Sequence, residues 1–277
     1  MISVAMTTYN GEKYIEQQLR SILNQTKQVD EIIICDDGST DRTADIILSF
    51  NDRKIKFIRN QENLGYIENF YKAISLTTGD YIFLADQDDI WMPDKVAIIL
   101  EHMLKMGTSA VCTNFYLIDG NGDRIEDCDS FSMDPFMRNF NGNVASLSTF
   151  RFSFGNVAQG CTYCFTRVVK DAYLKIHNKE VIHDLQIMII ASCIGEVHLL
   201  NKKLIEYRIH GNNSIGFSKK GRNIEIPKKI SREPFMYRFF KQVNEVIKVR
   251  NLWAYKFLYY LRIPYIRAVL RRKIIAD

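Results

Sequence analysis

Over the first 118 residues, short apolar runs alternate with segments whose apolar residues recur every three or four positions. Residues 2–8, 31–35, 55–58, 81–85 and 110–118 read as strands. Between them, residues 12–24 place Ile15, Leu19, Ile22 and Leu23 on one helical face. A second helix, capped by Ser39, Thr40 or Asp41, carries Ala44, Ile47 and Leu48. A third spans 65–77, with Ile67, Phe70, Tyr71 and Ile74 inward. A fourth starts near Pro93 and buries Val96, Ile99, Leu100 and Met103. Strand–helix alternation at this spacing predicts an α/β fold, with a mainly parallel sheet covered by helices on both faces. Ligands in such folds bind beyond the carboxyl ends of the strands.

Those ends are where the chemistry-bearing residues fall. The run Tyr81-Ile82-Phe83-Leu84-Ala85 leads directly into Asp86-Gln87-Asp88-Asp89-Ile90-Trp91. Carboxylates this dense repel one another and are costly near a core unless a cation offsets them. They form an oxygen-rich cup suited to Mg²⁺ or Mn²⁺ shared with substrate phosphates. A solvated acidic turn is the alternative, and the position directly after a core strand favours the cup. Asp36-Asp37 ends a second strand and Thr8-Tyr9-Asn10 a third, so three loops open on one edge of the sheet. The first turn, Thr7-Thr8-Tyr9-Asn10-Gly11-Glu12, has one glycine, which excludes the dinucleotide-binding fingerprint; a P-loop is also missing. Tyr9 and Asp37 can instead stack on and hydrogen-bond a base, leaving a diphosphate to a metal at Asp86 and Asp88.

The order Thr7-Thr8-Tyr9-Asn10, Asp36-Asp37-Gly38-Ser39-Thr40-Asp41 and Asp86-Gln87-Asp88-Asp89-Ile90-Trp91 resembles the family 2 glycosyltransferases of the GT-A fold, in their rhamnosyltransferase-like branch. The resemblance continues through Gly160-Cys161, His183-Asp184 and Tyr207-Arg208-Ile209-His210-Gly211-Asn212-Asn213, and covers residues 2 to about 215. It implies that Thr7, Tyr9 and Asp37 hold the nucleobase and ribose. It implies that Asp86 and Asp88 are the metal-binding pair, with Asp89 supporting them or touching the sugar, and that His210 lies near diphosphate and metal. Asp184 falls at the position of the catalytic base; on local sequence alone it also reads as a helix-start acid. His183 is expected to be its structural neighbour. Arg208 would meet the diphosphate or a nearby acid, and Trp91 would pack in the core or wall the sugar pocket. The loop-like residues 131–159 would contact acceptor or form a surface excursion.

The implied reaction is inverting transfer of a sugar from a nucleotide-diphosphate donor, dTDP-rhamnose foremost, to a glycan or lipid-linked glycan acceptor in bacterial surface-polysaccharide synthesis. A UDP-hexose donor and a non-catalytic sugar-nucleotide-binding partner are the competing readings. The second would have no use for a base at Asp184.

Charge divides the chain in two. Residues 227–277 hold 13 Lys and Arg against 3 Asp and Glu, within an overall charge of +5. We therefore expect a transferase domain over 1–225 and a basic, aromatic helical tail over 226–277, with a long helix over 232–261 broken by Pro264. Such a tail fits the headgroup region of an anionic leaflet, or packs as a helical pair on the domain or in a dimer. No nucleic-acid module accompanies it. The N-terminus enters a strand at once, so no signal peptide is expected. No stretch approaches the about 18 apolar residues of a membrane span. The six scattered cysteines read as reduced thiols, and the lone Cys161/Cys164 pair is a poor zinc site. The expected location is the cytoplasm, peripheral to the inner face of the membrane.

Overall fold

The computed structural model describes residues 1–125, 142–152, 155–210, 217–218, 221–222 and 235–249. The alternation read from the sequence builds β1 (Ile2–Thr8), α1 (Ile15–Leu23), β2 (Glu31–Asp36), α2 (Thr43–Ser49), β3 (Ile55–Arg59), α3 (Tyr66–Leu76) and β4 (Tyr81–Ala85). The two-residue β5 (Ile90–Trp91), α4 (Lys95–Met106) and β6 (Ala110–Ile118) come next. Then follow β7 (Val144–Leu147), α5 (Thr149–Phe152), a single 3₁₀ turn (Gly160–Thr162), β8 (Cys164–Thr166), α6 (Arg167–Ile176), α7 (His183–Ile194) and β9 (Val197–Arg208). A small hairpin, β10 (Phe217–Ser218) and β11 (Gly221–Arg222), precedes α8 (Phe235–Val246).

Nine strands form the main sheet in the order β3-β2-β1-β4-β8-β6-β9-β5, with β7 also paired to β9. β1, β2, β3 and β4 are mutually parallel, and β6 is parallel to β9; β8, β5 and β7 run against their neighbours. The mainly parallel sheet is therefore as expected. The antiparallel β8 between β4 and β6 was not legible in the alternation.

Side chains from successive residues enter opposite layers. Val4, Met6, Ile32, Ile34, Phe83 and Ala85 pack with Leu19 of α1, Ile47 of α2 and Ile99 of α4. Ala5, Ile33, Cys35, Ile82 and Leu84 pack with Phe70 of α3, Tyr173 of α6 and Ile187 of α7. Strands buried on both faces explain the unbroken apolar runs.

α8 joins the second layer: Phe239, Phe240 and Val243 are fully buried in the same cluster as Tyr173. This stretch of the basic segment thus shares the core of the sheet. The expected helix beyond residue 249, with Pro264 and the arginines after it, lies outside the described residues, as do residues 126–141 of the chain before β7 and the 211–213 stretch. Among the described residues no helix is long and apolar enough to cross a membrane, and five cysteines are free.

Candidate active site

Register brings the three loops together. Thr8 at the end of β1 lies beside Asp36 of β2, while Met6 pairs with Ala85, so Asp86 emerges next to Thr7. Asp36 is fully buried and structural: it accepts from the Thr8 hydroxyl at 2.8 Å and the Ser39 amide at 2.9 Å. Asp37 faces the cleft while pinning its wall. Its Oδ1 accepts from Asn60 Nδ2 and the Leu64 amide, both at 2.8 Å, and its Oδ2 from the Gly65 amide at 2.9 Å. Gly65, at φ 77°, sits where a side chain would be strained. Tyr9 stands at the rim, 50% exposed, an aromatic face open to a flat ligand.

Gln87 locks the first loop to the acidic one. Its side-chain amide accepts from the Tyr9 amide at 2.9 Å and donates to the Tyr9 carbonyl at 3.0 Å. Gln18 of α1 holds the Asp86 carbonyl at 2.8 Å. Asp88 meets His210 across 122 residues of sequence, Oδ2 to Nε2 at 2.8 Å. The pairing of β5 with β9 delivers that contact, and Tyr14 stacks on the His210 ring at 5.0 Å.

Behind the loop lie two buried cations. Arg208 donates to the carbonyls of Asp88 (2.7 Å) and Asp119 (3.2 Å) and to Gln17 Oε1 (2.9 Å), and its amide reaches Asp89 Oδ1 at 3.0 Å. Lys95 donates to the Cys161 carbonyl at 2.6 Å and lies over the Trp91 ring at 3.9 Å.

Burial, then the charges of Asp89 and Asp88, push the Asp86 carboxyl well above its ordinary range. Burial and Asp88 raise Asp89 to about 7. The loop is short of positive charge, and oxygen ligands from Asp86 and Asp88 with the His210 imidazole suit Mg²⁺ or Mn²⁺. A second group, Asp86, Asp89 and Cys161, brings ligand atoms within 4.8 Å of one another. Burial keeps the Cys161 thiol protonated, far above its usual pKa, so that group is a poorer seat for a hard ion.

The far end is built by the start of α7. Asp184 Oδ1 accepts from the Leu185 amide at 2.6 Å, and its carboxylate rests against the Gly160 backbone. A Cβ at Gly160 would come within 3.1 Å of Asp184 Cβ and 3.2 Å of its Oδ2. His183 stacks on Phe70 at 4.0 Å, and burial lowers its pKa to about 3, so it is neutral across the working range. Tyr66 stands beside the pair, 39% exposed.

All of this lines one cleft of about 780 Å³ that takes in Thr7, Tyr9, Asp37, Asp86, Asp88, Asp184 and His210. A nucleotide's length of open space thus separates base-binding groups from a carboxylate, with an acidic cup between.

A family model described as Glycosyl transferase family 2 matches residues 3–170. The chain belongs to that family. Among curated relatives, a dTDP-rhamnosyl transferase of Shigella flexneri is 29% identical over 265 residues, 90% of this chain and 84% of its own. A UDP-Glc:α-D-GlcNAc-diphosphoundecaprenol β-1,3-glucosyltransferase of Escherichia coli is 33% identical over 121 residues, 44% of this chain and 48% of its own. Among solved structures, S. aureus TarS 1–349 in complex with UDP superposes with a TM-score of 0.62 at 16% identity, covering 88% of this chain and 64% of that one. The fold is the GT-A type.

The family match ends at residue 170, so Asp184, Arg208 and His210 rest on the geometry alone. Seven of the site residues expected from sequence converge on the cleft. Asp89 and Arg208 do not: both are buried behind it, at 1% and 2% exposure, where Arg208 meets carbonyls rather than an open anion site. Trp91 is likewise buried, packed on Phe83. Sequence reasoning passed over Gln87, Tyr14, Asn63 and Asn69. Only Gln87 carried a signal, standing inside the acidic motif, since an amide among carboxylates is a donor they lack.

Proposed function

We propose that this glycosyltransferase-family chain is a metal-dependent, inverting transferase that moves a sugar from a nucleotide-diphosphate donor to a glycan acceptor, with dTDP-rhamnose the first donor to test. The observation that supports it best is the single cleft carrying Tyr9 and Asp37 at one end, the Asp86/Asp88/His210 cup in the middle and Asp184 at the other. Tyr9 and Asp37 would hold base and ribose. A divalent cation seated on Asp86, Asp88 and His210 would offset the charge that builds on the departing diphosphate. Asp184 would accept the acceptor's hydroxyl proton as that oxygen attacks the anomeric carbon. The anomeric carbon–phosphate oxygen bond breaks, the nucleoside diphosphate leaves, and one displacement inverts the centre. Asp89 and Arg208 would hold the cup from behind.

The dTDP-rhamnose reading draws on the S. flexneri relative, matched along most of both chains. A UDP-hexose donor is the second reading, favoured by the E. coli glucosyltransferase, matched over half of each chain. The latter's name also favours a lipid-linked acceptor. The basic residues after α8 would then rest on the anionic leaflet that carries it.

The test is transfer from dTDP-rhamnose and UDP-hexoses to lipid-diphosphate saccharides, with Mn²⁺ or EDTA. Activity should require the metal, and Asp184→Asn should lose about 10³-fold in kcat while retaining nucleotide binding. Full activity in EDTA or in Asp184→Asn would overturn the mechanism.

A further inference from the structure

Lys95 occupies a position that is unfavourable for a cation on two counts. It is fully buried, and it opens α4, where the helix dipole disfavours positive charge. Burial draws its pKa down to about 8, while Cys161, Asp89, Cys164 and Asp86 hold it up, so the ammonium stays charged at neutral pH. Its surroundings lie on both sides of the reaction. Its hydrogen bond goes to the Cys161 carbonyl, inside the Gly160–Thr162 turn on which Asp184 rests. Its field reaches Asp86 and Asp89 of the acidic loop, across a dry interior where charge is weakly screened.

We propose that Lys95 is a positioning residue that couples the two ends of the cleft. Its hydrogen bond fixes the turn beneath Asp184, and its charge holds the acidic loop together while keeping that loop's grip on a divalent cation loose. This rests on the cation reading above. The two roles have opposite signatures, which no simple loss of packing reproduces. Removing the charge makes the loop more negative, so it binds a cation more tightly; the same change frees the turn, so turnover falls.

The test uses the full chain and Mn²⁺ alone, titrated by calorimetry or by the free-ion electron paramagnetic resonance signal, alongside kcat with the identified donor. Lys95→Met should tighten Mn²⁺ binding by about tenfold and lower kcat by about tenfold. Lys95→Arg, which keeps the charge, should leave Mn²⁺ affinity within about twofold of the wild type. Should the methionine variant fail to fold, Lys95→Gln, neutral but still able to donate to the Cys161 carbonyl, should show the tighter Mn²⁺ binding with a smaller loss of kcat. Unchanged or weaker Mn²⁺ binding in a folded neutral variant, or unchanged turnover in Lys95→Met, overturns the proposal. A wild-type protein that takes up no Mn²⁺ refutes the cation reading itself and this inference with it.

Discussion

Gly11 is the smallest change that separates the two loops of the donor end. A Cβ there would fall 2.2 Å from Gln87 Oε1 and 2.5 Å from its Cδ, so in Gly11→Ala the Gln87 side chain must swing away. Its two hydrogen bonds to the Tyr9 backbone go with it. Each is worth about 1 kcal/mol net of solvent, somewhat less at this exposed site, so the pair contributes about 1–2 kcal/mol. That is about a five- to thirtyfold change in how often the Tyr9 loop sits in register with the acidic loop. Nucleotide affinity, measured by calorimetry with dTDP or UDP and Mn²⁺, should weaken by that factor, with Tm lowered by only a few degrees. Gln87→Ala removes the same two bonds. The double variant should therefore cost no more than either single change, a coupling of about 1–2 kcal/mol. Additive losses would refute the reasoning, because they would mean that Gly11 is required for something other than room for Gln87.

Two further perturbations probe the scaffold. Burial would raise the Glu31 carboxyl, yet Lys56, Ser3 and both donors of Thr78 outweigh it and hold the pKa at about 2, against 4.5 ordinarily. The unfolded chain therefore binds more protons between those values, and stability worth about 2 kcal/mol, discounted for the half-exposed Lys56, is present above pH 4.5 and lost as pH falls through 2. Denaturant melts of Glu31→Gln should lack that acid limb. Ending the chain after residue 234 would strip the buried Phe239, Phe240 and Val243 from the core, costing about 1.5–3 kcal/mol each. Ending it after 249 should leave Tm unchanged while abolishing any retention on anionic vesicles.

The donor end was legible because its signals are local. β1, β2 and β4 are buried on both faces and read as continuous apolar runs, and each delivers its polar residues immediately afterwards. What escaped depends on pairing between distant segments. β5 has two residues and β8 three, too short for any period. β9 carries Asn201, Lys202 and Lys203 mid-strand, which mask its pattern. The same strand turns Arg208 inward onto carbonyls that no sequence pattern displays. His210 could be matched to the site by resemblance, but its contact with Asp88 exists only because β9 pairs with β5.

β8 has a consequence for how the molecule is made. It hydrogen-bonds β4 on one side and β6 on the other, so while a ribosome is still extending the chain, both of those strands wait with bare edges until residue 166 has emerged. Bare edges invite pairing with other chains, and long-range closures of this kind are slow. The turn that supports Asp184 immediately precedes β8, so it is seated in the same event that closes the sheet. On the reading proposed above, a nascent chain halted before that event could hold a nucleotide sugar without being able to react it. Turnover would begin only in molecules whose folding is complete.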